Sequence, residues 1–425
     1  MAQYSIPTLL LIILILCFLR VSDSVSVSEA VFRPHHHFRS HSHSHRGENK
    51  KIFNVLQFGA KSGGIEDSTQ AFEDAWQAAC RGPKANGKTK VIVPHGKIFK
   101  VSSSLFAGPC KASSIVFEIQ GNIRADTDLS NYPYQRWLSF ESVTSLTLTG
   151  NGTIDGQGNN MWQYNDCKTN PHCIHLPSAL YFNNVNSSLV RGIHLVNAMG
   201  FHMHITNSNA IRVKGVQITS PGSSPNTDGI HISKTHSVQI SATTISTGDD
   251  CISIGQGSTH VSITKVVCGP GHGISVGSLG KVPQEQDVRG LIVSNCTLMG
   301  TTNGLRIKTW PKSDPSKATG IIFRDIIMLD VKNPIIIDQS YGDRDDRISN
   351  PSRVQISDIV YQNIRGTSVS AVAVNLMCSK LVPCDNVRMT NIRLVSVSDN
   401  VGLMSACTNA RVGYMGMQIP PPCLM

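Results

Sequence analysis

Between residues 226 and 276 the chain repeats every 22 residues, and this beat constrains the fold more than any other feature. Ile230, Ile252 and Ile274 share one phase. Each opens a short alternating run, Ile230-His231-Ile232, Ile252-Ser253-Ile254 and Ile274-Ser275-Val276, which is the period-two signal of a strand with one buried face. Two residues before each isoleucine stand Asp228, Asp250 and His272, with Asp249 beside Asp250. A unit this short cannot bury its apolar face alone, so it must stack on copies of itself. The expected fold is all-β, a parallel β-helix, in which residues at one phase form a vertical row with rungs about 4.8 Å apart. Asp228, Asp250 and His272 are expected to form such a row.

Further beats extend the solenoid. Val238-Gln239-Ile240 is followed by Val261-Ser262-Ile263 and Leu291-Ile292-Val293 as a second strand of each coil, while Thr153-Ile154, Ile193-His194-Leu195 and Ile321-Ile322-Phe323 carry it to both sides. A length of 425 residues ordinarily implies two or three globular domains, but a solenoid grows by adding coils. One domain is therefore expected over residues 51–425. Asp67-Ser68 reads as a helix start for an amphipathic segment from Thr69 to Cys80, a short N-terminal helix that caps the first coil.

The N-terminal segment carries an address. Pro7 to Leu19 is an apolar run of signal-sequence length, too short to span a bilayer comfortably, and residues 1–24 read as a secretory signal peptide. Residues 25–50 form a polar leader with His35, His36, His37, His41, His43 and His45; a His-rich tract can bind metal, but a solvated, removable tail is the expected role. The protein is expected outside the cell. Of 12 cysteines Cys17 lies in the signal segment, and the remainder show spacings suited to local loops: Cys167 to Cys173, Cys251 to Cys268, Cys378 to Cys384 and Cys407 to Cys423. Their odd number leaves one thiol, with Cys296 the candidate. No pattern of paired Cys-x-x-Cys motifs suggests a structural zinc. Asn151, Asn186 and Asn295 head glycosylation sequons.

The net charge of +10 owes part to the leader, but Arg306 and Lys308 alternate outward in the strand-like run Gly304-Leu305-Arg306-Ile307-Lys308-Thr309. Two exposed cations beside a row of carboxylates suit an anionic polymer. Nucleic acid fits less well, because basic stripes with interleaved aromatics are missing from the sequence. An acidic polysaccharide is the expected partner.

Four segments, Asn226-Thr227-Asp228-Gly229, Gly248-Asp249-Asp250-Cys251, Gly271-His272-Gly273 and Arg306-Ile307-Lys308, in this order and at these intervals, resemble the signature of polygalacturonases in glycoside hydrolase family 28, in their plant form. Each alone is ordinary turn or strand chemistry; their joint occurrence carries the resemblance, which extends over roughly residues 52–423. The resemblance implies a right-handed parallel β-helix and inverting hydrolysis of α-1,4-galacturonosyl linkages without metal or organic cofactor. By analogy Asp249 is the general acid, Asp228 and Asp250 hold the attacking water, and His272 supports the acid. Arg306 and Lys308 are then the clamp for a galacturonate carboxylate, with Tyr341 and Asn226 as further substrate contacts. Ser340 and Gly342 stand where plant relatives often carry Asn and Cys.

The residues alone support this chemistry, since glycoside hydrolysis needs one carboxylic acid and one carboxylate, and crowded carboxylates raise one another's pKa. Two alternatives stay open. A pectate-lyase-type enzyme on the same β-helix would need calcium and a base, and a catalytically silent pectin-binding protein would keep the groove without turnover. A monomer is the default for a capped solenoid.

Overall fold

The computed structural model describes residues 51–166, 170, 173, 175–342, 350–398 and 402–423. Its strands fall into two parallel sheets, one of 11 and one of 20 strands among the described residues, stacked as a right-handed parallel β-helix. In the 11-stranded sheet each strand pairs with the strand one coil earlier, from Ser104–Ala107 at one end to Met404–Thr408 at the other. The 22-residue beat is the register of this sheet: Ile230 pairs with Ile252, Ile252 with Ile274, and Ile274 with Leu305. The outer beats hold as well, since Val238 pairs with Val261, Val261 with Leu291, and Leu291 with Ile321.

The larger sheet covers the remainder of each coil and bends at a corner. The strand Val288–Met299 pairs along its first half with Thr259–Thr264 and along its second with Val267–Cys268. At this corner successive coils place Ala242, Lys265, Asn295, Asp325, Asn363 and Asn391 in the left-handed region, with φ between 48° and 57°. Asn and Asp tolerate that conformation best among non-glycine residues. The later rungs also bond to one another, Asn391 Nδ2 donating to Asn363 Oδ1 at 3.2 Å and Asn363 Nδ2 to Asp325 Oδ1 at 2.9 Å.

Inward-facing residues of both sheets form one continuous core of isoleucine, valine and leucine rows. Near its first coils the core is aromatic: Trp76, Phe106, Phe117 and Phe140 are mutually in ring contact and fully buried. Trp76 comes from the helix Thr69–Cys80, whose apolar face, with Phe72, Ala75 and Ala79, covers the end of the stack. The helix occupies the expected residues, but its start differs in detail. Ser68 makes no capping bond and instead exchanges hydrogen bonds with the Lys61 backbone, while Asp67 Oδ1 accepts from the Thr69 amide.

Disulfides Cys251–Cys268, Cys378–Cys384 and Cys407–Cys423 join the expected cysteines, and Cys80–Cys110 ties the capping helix to the first coils. Cys296 is a buried free thiol, and burial pushes its pKa up to about 11. The expected Cys167–Cys173 pairing, the signal segment and the His-rich leader involve residues outside those described. No helix among the described residues is long and apolar enough to cross a membrane.

Candidate active site

The ionisable groups singled out by the beat lie on the segments that lead into the 11-stranded sheet. The Gly229 amide donates to Asp250 O and the Cys251 amide to Gly273 O, so Asp228, Asp250 and His272 occupy equivalent backbone positions one coil apart. Buried Thr227 and Thr247 lock two of these segments together, their hydroxyls 2.9 Å apart, and Thr227 Oγ1 also accepts from the Gly248 amide at 3.2 Å. An added Cβ at Gly248 would stand 1.9 Å from Ser224 O, so glycine is needed for this close approach. The two aspartates that follow are aimed by that turn.

Asp250, 1% exposed, sits at the centre. Its Oδ1 accepts from Arg306 Nη2 at 2.6 Å and Ser275 Oγ at 2.7 Å, and its Oδ2 accepts from Lys308 Nζ at 2.8 Å. Ser275 Oγ also accepts from Arg306 Nε at 3.0 Å. Burial works to raise the carboxyl's pKa, but Lys308, Arg306 and the bonds from Lys308 and Ser275 together hold it down to about 2. Asp250 is therefore a fixed anion at any working pH. Arg306 and Lys308, expected as exposed cations, are 9% and 6% exposed. Sequence alternation places them on the outer face of their strand correctly, but Asp250 and the neighbouring Tyr341 ring cover them. Lys308 Nζ lies 5.0 Å and Arg306 Cζ 6.0 Å from the centre of that ring, which packs edge-on against Trp310.

Asp249 points differently. Its Oδ1 accepts from His272 Nδ1 at 2.8 Å and from the Asp250 amide at 2.8 Å, and its Oδ2 from Asn226 Nδ2 at 3.4 Å. Asn226 has φ 51° and is itself held by Asn165 Nδ2, which donates to its Oδ1 at 3.0 Å. His272 thus shares a backbone row with Asp250 but bonds to Asp249. Asp228, 6% exposed, accepts at Oδ2 from Ser253 Oγ at 2.6 Å. Burial raises its pKa well above the usual carboxylate range, and the charges of Asp249 and Asp250 add to the rise. Crowding therefore acts most visibly on Asp228, whereas the family analogy puts the transferable proton on Asp249.

Two residues near the carboxylates, Ser253 and Ser275, carry no motif. Ser253, Ser275 and Arg306 are successive rungs of one row, which continues upward through His231, His204 and Tyr181. They are the middle residues of the alternating triads, so the signal for Ser253 and Ser275 was their phase and not their type. His231 reaches Asp228 through Ser253, its Nδ1 2.8 Å from Ser253 Oγ. His202 is fully buried among Asp228 O and Ser220 Oγ and serves the backbone. Exposed His236 and His260 pair edge-on elsewhere on the coil.

Asp249, Asp250 and His272 bring one ligand atom each to within 4.8 Å of one another, a spacing that a metal ion could use. Asp250 already neutralises two buried cations, which a divalent ion would have to displace or face at close range. Proton transfer and carboxylate binding are the chemistry this donor set favours.

A family model described as glycosyl hydrolases family 28 matches residues 84–416. An exopolygalacturonase of Platanus acerifolia is 43% identical over 370 residues, covering 87% of this chain and 97% of its own. A polygalacturonase of Brassica napus is 42% identical over 360 residues, covering 84% of this chain and 89% of its own. Among solved structures, an endo-xylogalacturonan hydrolase from Aspergillus tubingensis superposes with a TM-score of 0.73 at 21% identity, covering 86% of this chain and 100% of that one. A hyperthermoactive exopolygalacturonase from Thermotoga maritima gives 0.72 at 19% identity, covering 86% and 91%. Both share the fold.

Proposed function

The chain belongs to glycosyl hydrolases family 28, and from that premise we propose that Asp249 delivers the proton while Asp228 and Asp250 hold the attacking water in an inverting hydrolysis. The enzyme is a polygalacturonase that cleaves α-1,4-galacturonosyl linkages of pectin. The observation that carries the assignment of roles is the division of labour among three adjacent carboxylates. Asp250 is held ionised by Arg306 and Lys308, whereas Asp249 bonds to His272 and Asn226 and is the less buried of the two. Glycoside hydrolysis requires one carboxyl group to donate a proton and another to act as a carboxylate.

Arg306 and Lys308 form the clamp for the substrate carboxylate, with Tyr341 as a wall against the sugar. Each cation retains donors beyond the bond it gives to Asp250, since a guanidinium carries five and an ammonium three. Asn226 holds Asp249 in place and stands at the sugar's edge. The raised carboxyl of Asp228 favours one second assignment, in which Asp228 and not Asp249 is the proton donor. A galacturonide with an activated leaving group separates the two: the variant lacking the acid keeps turnover on it, while the variant lacking the base does not.

The reaction itself is tested on polygalacturonic acid at mildly acidic pH, with and without chelator, following reducing ends, unsaturated products and viscosity together. Reducing ends without unsaturation, indifferent to chelator, are expected. Unsaturated product lost on chelation would establish a lyase, and binding without product a silent receptor. The loss of viscosity per bond cleaved separates internal from chain-end attack. Residues 1–24 are proposed as the export signal and 25–50 as a removable leader, leaving a secreted monomer that acts in the cell wall on residues 51–425. N-terminal sequencing and sedimentation of the exported protein test both points.

A further inference from the structure

The row of outward residues that contains Ser275 and Ser253 runs on past the carboxylates to His231, His204 and Tyr181. Arg306 stands at one end of this row. At the other, the guanidinium of Arg136 lies 5.1 Å from the centre of the Tyr181 ring and 5.1 Å from that of Tyr134. Between Arg136 and the carboxylates is a 330 Å³ cavity whose floor includes Tyr181, Phe201 and His204 and whose inner edge is Asn226. That volume is at the lower end of the ~300–1,000 Å³ typical of ligand pockets, suited to a sugar unit and not to a length of polymer.

We propose that this cavity is a second carboxylate-reading subsite, with Arg136 as its specificity-determining residue, holding a galacturonate further along the polymer on the opposite side of the scissile bond from the one clamped by Arg306 and Lys308. The proposal rests on the polygalacturonase reading and specifies where a more distant sugar of the bound chain is recognised.

Two chains of contact tie the cavity to the reacting groups. Asn226 lines it and donates to Asp249 at 3.4 Å. Phe201 also lines it and stacks on His231 at 4.9 Å, and His231 bonds through Ser253 to Asp228. A sugar resting there is one side chain away from Asp249, through Asn226. The floor is aromatic, with Tyr181 and Phe201 both edge-on to His204 at 5.0 and 5.7 Å, and aromatic faces suit the C–H face of a pyranose. Burial keeps the imidazoles of His204 and His231 neutral, the former lowered to about 4, so the floor carries no charge of its own at mildly acidic pH. Arg136 supplies the cation. Its Nη1 pairs with Glu141 Oε1 at 2.5 Å and the guanidinium also bonds to the Tyr181 hydroxyl, which leaves the rest of its five donors for a carboxylate.

The test compares Arg136→Gln, Arg136→Lys and Glu141→Gln on unesterified and methyl-esterified oligogalacturonates. Arg136→Gln is expected to raise KM for the free acid about tenfold or more, the worth of one charge-assisted pair, with kcat within about twofold. It is also expected to erase the preference of the native enzyme for a free carboxylate over its methyl ester at that unit. Arg136→Lys should recover part of both, and Glu141→Gln, which leaves the cation in place, should not raise KM. Unchanged KM and ester preference in Arg136→Gln would overturn the proposal, as would an equal KM rise in Glu141→Gln, since Arg136 would then serve only its ion pair. If the native protein releases no reducing ends, the hydrolase reading fails separately. Calorimetric binding of galacturonate to native and Arg136→Gln protein then decides the subsite, with loss of affinity supporting it and equal affinity refuting it.

Discussion

At the scale of single residues, the three aspartates differ by what each would leave behind. Asp250→Asn strands Arg306 and Lys308 as unpaired buried charges, and the expected loss is about 3–5 kcal/mol of stability, measurable by denaturant unfolding. Asp249→Asn keeps polar partners on both sides, so stability and polymer binding should hold while turnover falls by about 10²–10⁴; strong residual activity would remove Asp249 from the role of acid. The pH dependence of stability has opposite signs at the other two carboxyls. Asp250, held at about 2 against about 3.9 unfolded, contributes stability present above about pH 4 and lost as pH falls toward 2. Asp228, raised when folded, costs stability as pH climbs from about 4 through its raised value. Asp228→Asn should therefore melt close to the native protein near pH 4 and above it at pH 7, and a constant difference between the two pH values would contradict the raised carboxyl. Lys308→Asn should raise KM for polygalacturonate. Because Lys308 is the strongest influence holding Asp250 down, the acid limb of the kcat/KM profile should also move to higher pH.

At the scale of elements, short turns do the positioning and strands supply the frame. Gly273 follows His272 with φ 82°, and a Cβ there would stand 2.1 Å from Asn303 O on the next coil. Gly273→Ala combines that clash with a conformation costing about 1–3 kcal/mol for other residues. Its expected result is a lower melting temperature and a fall in kcat as His272 leaves Asp249, with the circular dichroism of the β-helix retained. Cys251 immediately follows Asp250 and is pinned to Cys268, so the turn that carries Asp249 and Asp250 is anchored where it ends. The cations were placed by their element but not by their exposure. Alternation in Leu305-Arg306-Ile307-Lys308 gives the face, whereas their burial depends on Asp250 from two coils earlier and Tyr341 from the coil after.

For the molecule as a whole, a chain with net charge +10 and the fixed cations Arg306 and Lys308 on one strand should bind an anionic polymer through field as well as contact. KM for polygalacturonate is expected to rise with ionic strength between 0.05 and about 0.5 M, as the Debye length shrinks to a few ångström, while affinity for a neutral methyl-esterified oligomer changes little. Salt-independent KM would argue against charge-based recognition. The repeat in the sequence determined the architecture and the place of the carboxylates, because a solenoid converts one-dimensional phase directly into vertical rows: Ile230, Ile252 and Ile274 could pair in no other register without turning their apolar faces outward. It also determined which strand face carries Arg306 and Lys308. Tertiary structure alone decided that Asp250 would absorb both cations, that His272 would choose Asp249, and that Ser253 and Ser275 would complete the site. It alone brought Phe201 and His204 against His231, and Arg136 over Tyr181, from coils whose lengths break the beat, as Met203 pairs with Ile230 at a longer spacing. The physical reason is that coil length varies in the connecting segments, where the sequence keeps no period, and a residue's partners there are set by the neighbouring coil and not by its own chain.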